Sequence, residues 1–526
     1  MVDGWVAQLL SCDILNQDGL TEQRSWSLGS KVRFAFSRCT RNGWYDRDET
    51  RANAWKAGAT MSPLRFQEHL LPRREFLRIG SLAIGGFALP TMLGSSAKAE
   101  SLSDVATGKS VIFLFQQGGP SQFETFDPKP NAPSEIRTLT EVVQTSLSGV
   151  AFGEAMSRLS RLAHKLTVVR SFQTNNAGHN LQPIVGPDSL DANLGSHYSR
   201  IVGSTNPQTG MPTNIVVYPS AVDSDVPGPQ ARGDLKSTGP YGQAYAPFVP
   251  GGGGDLQQDM RLNLPHDRIF EDRRGLLNQL DRFRKDLDTS GRIEQMDQLQ
   301  RQAYELLLSG KVAAALDLAN EDPSVVRRYD TQHFAREGQW DKAARGRRGY
   351  YTAQAKSIGK LLLLARRLCE AGCGFVTVHA GYAGVWDMHA DGNNLNMVDG
   401  MNAVGRAFDY AVAAFVEDIE LLGLQEKIML VCVGEMGRTP RVNGRGGRDH
   451  WSRLAPLLLY GGGQPSGKVI GRSTRDGGEP DSEALKPSHL VSTILNTMLD
   501  LGRLRLISGV PQQVVELASN PMISLA

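Results

Sequence analysis

The 526-residue chain has only five cysteines, and none lies in a C-x-x-C-H arrangement. That is too few for a disulfide-stapled scaffold, and it excludes a c-type haem attachment site. Cys12 and Cys39 lie early, and Cys369, Cys373 and Cys432 lie in or beside apolar segments. Buried free thiols are their expected state; a redox or metal pair of Cys369 with Cys373 is the weaker alternative. No uninterrupted apolar run approaches the ~18 residues that a membrane-spanning helix needs. An excess of one charge is also missing. Residues 1–99 carry 13 of the 57 Lys and Arg and 9 of the 55 Asp and Glu, which leaves 44 basic against 46 acidic residues in the rest. A near-neutral main body excludes the basic field of a nucleic-acid binder. No convincing G-x-G-x-x-G follows a strand, which removes the usual dinucleotide signature, and no repeat of 20–50 residues stands out. What the chain does have is glycine, 56 residues of it, implying many loops and tight turns.

The N-terminal region reads as an address. Arg73-Arg74-Glu75-Phe76-Leu77-Arg78 precedes a glycine-rich, moderately apolar run, residues 79–93, and then Ala97-Lys98-Ala99. A charged start, an apolar middle and an A-x-A end form an export signal, and the paired arginines resemble those of the twin-arginine pathway. Pro72 departs from the Ser or Thr more usual there. About seventy residues precede the arginines, and Met61 begins a segment of normal signal length. The expected organisation is therefore a non-native or unusual extension over 1–60, a twin-arginine signal over 61–99, and one large domain over 100–526. That makes the export machinery an expected partner and the periplasm or cell exterior the expected destination.

Within 100–526, apolar runs at 111–116, 166–170, 214–218, 374–379, 427–433 and 455–460 read as strands. Helical spacing of apolar residues appears at 351–371, 396–423 and 487–501, and over 268–320 within an expected helical insertion of about 268–345. Strands alternating with helices predict an α/β fold with a mainly parallel sheet.

In such sheets, ligands collect at the carboxyl ends of strands. Two carboxylate–imidazole clusters lie there. Trp386-Asp387-Met388-His389-Ala390-Asp391 follows the 374–379 run, and Gly434-Glu435-Met436-Gly437-Arg438-Thr439-Pro440 follows the 427–433 run, with Gly447-Arg448-Asp449-His450-Trp451 before the next strand. His and carboxylates together suit a divalent metal. Asp387, His389, Asp449 and His450 are the expected ligands, and His179, in the loop after the 166–170 strand, is a further one. Asp449 and His450 are adjacent, so both can reach one ion only if the chain turns sharply, which Gly444, Gly446 and Gly447 would permit. Arg438, Arg445 and Arg448 can grip an anion, because a guanidinium matches phosphate or sulfate bidentately; pairing with Glu435 and Asp449 is the equally weighted structural alternative. After the first strand, Gly118-Gly119-Pro120 leads to Glu124 and Asp127, either of which could supply a carboxylate, although Asp before Pro is also a common turn residue.

The set GGPSQFETFDPKP, WDMHAD, GEMGRTP and GGRDHW, in that order between residue 111 and about 500, resembles the DUF1501 family. That family in turn resembles a distant branch of the alkaline phosphatase and sulfatase superfamily. The resemblance implies an alkaline-phosphatase-like, mostly parallel sheet between helices with a metal centre at the strand ends. It implies a bound divalent ion (zinc, manganese or calcium) and a sulfate or phosphate ester as substrate. It places ligands at Glu124 or Asp127, at Asp387 and His389, and at His450. Glu435 stands where an Asp-His pair is more usual, with a catalytic role expected for it and for the anion-holding Arg438 and Arg448. The superfamily's nucleophilic Ser, Thr or Cys has no counterpart in residues 175–186; Thr174 and Ser121 are weak substitutes. A catalytically degenerate relative serving binding or envelope assembly is the alternative reading.

Overall fold

The computed structural model describes residues 105–250, 311–336 and 338–523. The N-terminal extension and signal, and residues 268–310 of the expected insertion, lie outside the described residues. All the described residues fall in one compact unit, Thr91–Ala526.

Seven strands form the central sheet: β1 (Ser110–Phe115), β4 (Thr167–Val169), β5 (Asn214–Val217), β6 (Phe375–His379), β7 (Ile428–Val433), β10 (Leu457–Gly461) and β11 (Lys468–Ile470), in the order β11-β4-β10-β7-β1-β6-β5. Two small antiparallel ribbons accompany it, β2 (Val142–Gln144) with β3 (Ala151–Gly153), and β8 (Gly437–Val442) with β9 (Arg448–Trp451). Pairing in the central sheet is parallel except at β10, which runs antiparallel to both β4 and β7. The chain between β7 and β10 carries the β8–β9 hairpin instead of a crossover helix, so it re-enters the sheet from the edge it left.

The inner strands are largely apolar because both faces are covered. Successive side chains point to opposite sides. Ile112, Leu114, Val376, Val378, Leu430, Cys432 and Leu458 join one core, with α2 (Arg345–Glu370) and α3 (Arg406–Leu421). Val111, Phe113, Phe115, Phe375, Met429, Val431 and Leu457 join the other, with α1 (Leu194–Val202) and α4 (Pro487–Met498). Each such buried side chain contributes roughly 1.5–3 kcal/mol relative to exposure. The helix expected over 396–423 is divided: a short helix at Met397–Gly400, a π-helical turn at Met401–Gly405, then α3. Among the described residues, no helix is long and apolar enough to cross a membrane.

This topology decides where the chemistry collects. The chain leaves β1, β4, β6 and β7 at one edge of the sheet, and reversed β10 begins at that same edge. The segments carrying Gly118, His179, Asp387, Glu435 and His450 therefore converge there.

Candidate metal centre

Asp387 is the hub. Its Oδ2 lies 3.0 Å from His179 Nε2 and 3.1 Å from His389 Nε2, and its Oδ1 lies 3.1 Å from His450 Nε2. Arg438 Nη2 donates to Oδ1 at 2.7 Å, and Asn394 Nδ2 donates to Oδ2 at 3.1 Å. The imidazoles of His179 and His450 stand edge to face with centroids 4.5 Å apart. One ligand atom from each of His179, Asp387 and His450 falls within 4.8 Å of the others, so these three residues could hold a metal ion.

The outer nitrogens of the rings are fixed by the protein. His450 Nδ1 lies 2.9 Å from the carbonyl oxygen of Ala177, which can only accept, so Nδ1 carries the proton. Its Nε2 then turns a lone pair toward the carboxylate unless a proton or a cation lies between them. His179 Nδ1 lies 3.0 Å from Glu435 Oε1. Glu435 is fully buried and accepts the Gly118 N–H at 2.9 and 3.1 Å. An imidazole oriented by a carboxylate or a backbone carbonyl at its far nitrogen is the usual support for a metal ligand. Nitrogen–oxygen separations of 3.0–3.1 Å also suit ligand atoms that share a small ion at about 2.0–2.2 Å. The residues present fit a divalent cation.

The electrostatics fit as well. Burial opposes charge on His179, but hydrogen bonds and attraction to Asp387 and Glu435 win and push its pKa up to about 9. Burial likewise disfavours the Asp387 carboxylate, and the three imidazoles and Arg438 overcome it, holding the group far below the usual range. The Asp387 hydrogen bond raises His389 against the opposing effect of burial. Burial raises Glu435, against the contact with His179. A carboxylate surrounded by imidazoles is held here ready for a cation or for protons.

The other expected residues separate by position. Arg438 is fully buried, and its guanidinium donates to the carbonyls of Gly118, Gly119, Trp386 and Arg448 as well as to Asp387. Arg448 is also fully buried. It binds Glu124 through Nη2 at 3.0 Å and Nε at 3.2 Å and donates to the carbonyls of Ile136, Arg137, Thr439 and Pro440. With their donors taken by protein acceptors and no exposed surface, neither arginine is placed to grip an anion, so the anion-holding expectation is corrected for both. Glu124 is the counter-ion of Arg448 instead of a ligand. Asp127 is drawn off by Lys129, Arg170 and Ser473.

Asp449 lies in β9 between Arg448 and His450, which both face inward, so strand alternation turns it out. Its side chain is 60% exposed, and it comes no nearer than 4.0 Å to His389. The expected sharp loop is a hairpin, with Arg438 and His450 paired in register. Gly447 permits its docking, because a Cβ there would lie 2.5 Å from the His389 backbone. Ser121 donates its hydroxyl to Glu124, and Thr174 is buried beside Asn176.

Two participants, Asn394 and the Ala177 carbonyl, were not anticipated. Asn394 signals itself only as part of the turn that Asp391 closes by accepting the N–H groups of Asn393 and Asn394. The Ala177 carbonyl has no side-chain signal at all. Gly118 was visible as a glycine after β1: its φ is +113°, and a Cβ would lie 2.8 Å from the backbone nitrogens of Trp386 and Asp387.

The DUF1501 family, described as a protein of unknown function, matches residues 108–519. The chain belongs to the DUF1501 family. No functionally curated protein matches it. Similar solved structures include PsFucS1 sulfatase from Pseudoalteromonas sp., with 11% identity, 74% of this chain and 67% of that chain covered, and a TM-score of 0.28. Another is the Bacteroides thetaiotaomicron protein BT33494S-sulf, with 10% identity, coverage of 77% and 74%, and a TM-score of 0.27. Ps i-CgsB follows, with 9% identity, coverage of 79% and 77%, and a TM-score of 0.30. At these scores no residue role is carried from them to this DUF1501 chain.

Proposed function

We propose that this DUF1501 protein is an exported, divalent-metal-dependent hydrolase of sulfate or phosphate esters. The observation that carries the reading is the convergence of His179 Nε2, His450 Nε2 and the Asp387 carboxylate, with both rings oriented from behind. Two imidazoles and one carboxylate suit zinc or manganese; calcium prefers an all-oxygen set and suits them poorly. A cation held there supplies positive charge that polarises an ester oxygen and acidifies water.

The chain's own groups divide the remaining work. Asp387 and Arg438 keep the cluster in place, and Glu435 holds the His179 ring through Nδ1. His389 is partly exposed, as is His450, and its raised pKa suits it to hold a proton for the departing alcohol. The hydroxyls of Ser121 and Thr174 are both committed elsewhere, which favours direct attack by water over a covalent intermediate. The same observation favours, as a second reading, a metal-binding relative without turnover. Export rests on Arg73-Arg74 and Ala97-Lys98-Ala99.

The test is purified protein reconstituted with zinc or manganese, analysed for bound metal and assayed on 4-nitrophenyl sulfate and 4-nitrophenyl phosphate, with and without chelator. Chelator-sensitive turnover is expected. Bound metal without turnover selects the second reading, and no bound metal sinks both.

A further inference from the structure

Arg438 and Arg448 are sealed into the fold, so an anionic substrate needs another cation. A cavity of about 430 Å³ opens beside the cluster, lined by His179 on one side and by Arg232, Gly233, Asp191, Leu181 and Val185. Arg232 is exposed, and its guanidinium has no hydrogen-bond or ion-pair partner among the described residues.

Its backbone, by contrast, is anchored at the strand ends. The buried Gln117, the residue preceding Gly118, accepts the Arg232 N–H at 3.2 Å and donates to the carbonyls of Arg232 at 3.0 Å and Asn180 at 2.8 Å. Gln230, two residues earlier, donates its N–H to Gly381 and accepts from Ala383 in the loop after β6. The segment carrying Arg232 is thus tied to the loops that carry Asp387 and His179.

The walls are specialised too. Gly233 has a φ of +113°, and a Cβ there would lie 2.7 Å from the Leu181 side chain. Asp191, which lines the cavity, and Leu190 before it are consecutive non-glycine residues with φ of +54°. Backbone in that region is sterically costly and concentrates at ligand sites.

We infer that this cavity is the substrate site and that Arg232 is its oxoanion-binding residue. It takes a sulfate or phosphate monoester, with the oxoanion between Arg232 and the metal centre and the organic part against Leu181 and Val185. This rests on the hydrolase reading for the ester class, whereas the anion site itself does not. A free guanidinium provides charge-assisted, bidentate hydrogen bonds that match such an anion. Asp191 and Asp234 on the rim would disfavour highly charged polyanions.

The experiment is calorimetric titration of the full chain, loaded with zinc, with inorganic sulfate and separately with inorganic phosphate. Wild type, Arg232→Met, Arg232→Lys and, as an exposed arginine on the C-terminal helices, Arg505→Met are compared, and zinc affinity is measured for each. One or both anions bind wild type; Arg232→Met weakens binding by at least about tenfold, Arg232→Lys retains part of it, and Arg505→Met leaves it unchanged. Zinc affinity and thermal midpoint of Arg232→Met stay at wild-type values. Failure of both anions to bind wild type, equal affinity in Arg232→Met, or an equal loss in Arg505→Met overturns the inference. If zinc does not bind but Arg232→Met still loses the anion, the hydrolase reading fails and the anion site stands. If zinc binds and Arg232→Met keeps the anion, the reverse holds.

Discussion

Replacing Arg448 by Met separates a structural arginine from an anion-binding one. In the native protein both Arg448 and Glu124 are fully buried, and the guanidinium lies 4.2 Å from the centroid of the Phe123 ring. Methionine fills much of the volume but removes the charge and every donor. The Glu124 carboxylate is then left with only the Ser121 hydroxyl and the Leu139 N–H, at 3.1 Å. Breaking a buried ion pair from one side costs about 3–5 kcal/mol, because the remaining charge is uncompensated. The carbonyls of Ile136, Arg137, Thr439 and Pro440 lose a donor as well, each worth about 1 kcal/mol where water cannot enter. The folded-to-unfolded ratio should therefore fall by about two to more than three orders of magnitude. Urea unfolding measures it. Glu124→Met combined with Arg448→Met should be less destabilised than Arg448→Met alone, since the double variant buries no lone charge. An Arg448→Met midpoint equivalent to less than about 0.5 kcal/mol, together with weakened sulfate or phosphate binding, would refute the reasoning.

Two further outcomes are expected. Gly359 lies in α2 where a Cβ would be 1.8 Å from the Tyr329 carbonyl oxygen, so Gly359→Ala should lower stability by at least about 1–3 kcal/mol despite alanine's helix preference; unchanged thermal unfolding would show that α2 does not pack there. His197 is fully buried, and burial lowers its pKa to about 4. The unfolded chain therefore binds the extra proton first, and stability should be full above about pH 6.5 and fall by roughly 3 kcal/mol toward pH 4. His197→Gln should flatten that part of the urea-midpoint profile, and a profile unchanged by the substitution would contradict the assignment.

How much of this was legible in the sequence depended on the physics of each residue. The central strands announced themselves because both faces are buried and the runs are continuously apolar, as in Val111–Phe115 and Ile428–Val433. The β8–β9 hairpin did not, because Gly437–Val442 and Arg448–Trp451 are polar strands containing Pro440 and no apolar alternation. That omission hid two consequences. Strand alternation turns Asp449 away while His450 faces Asp387, and β10 returns antiparallel. The positions of Asp387, His179 and Glu435 were readable from strand ends, whereas the arginines were not. A guanidinium next to glycines serves an anion or backbone carbonyls equally well in one dimension, and only burial separates Arg438 from Arg232. Asp127 was lost to Lys129, Arg170 and Ser473, partners of which two lie more than forty residues away in sequence.

The central claim is that His179, Asp387 and His450 hold one divalent cation. Its most direct test is anomalous difference density, recorded at the zinc or manganese absorption edge, from crystals of metal-loaded protein. One peak is expected about 2.0–2.2 Å from His179 Nε2, His450 Nε2 and an Asp387 carboxylate oxygen, and none in crystals of His450→Ala. No peak there, or a peak that survives His450→Ala, would contradict the claim.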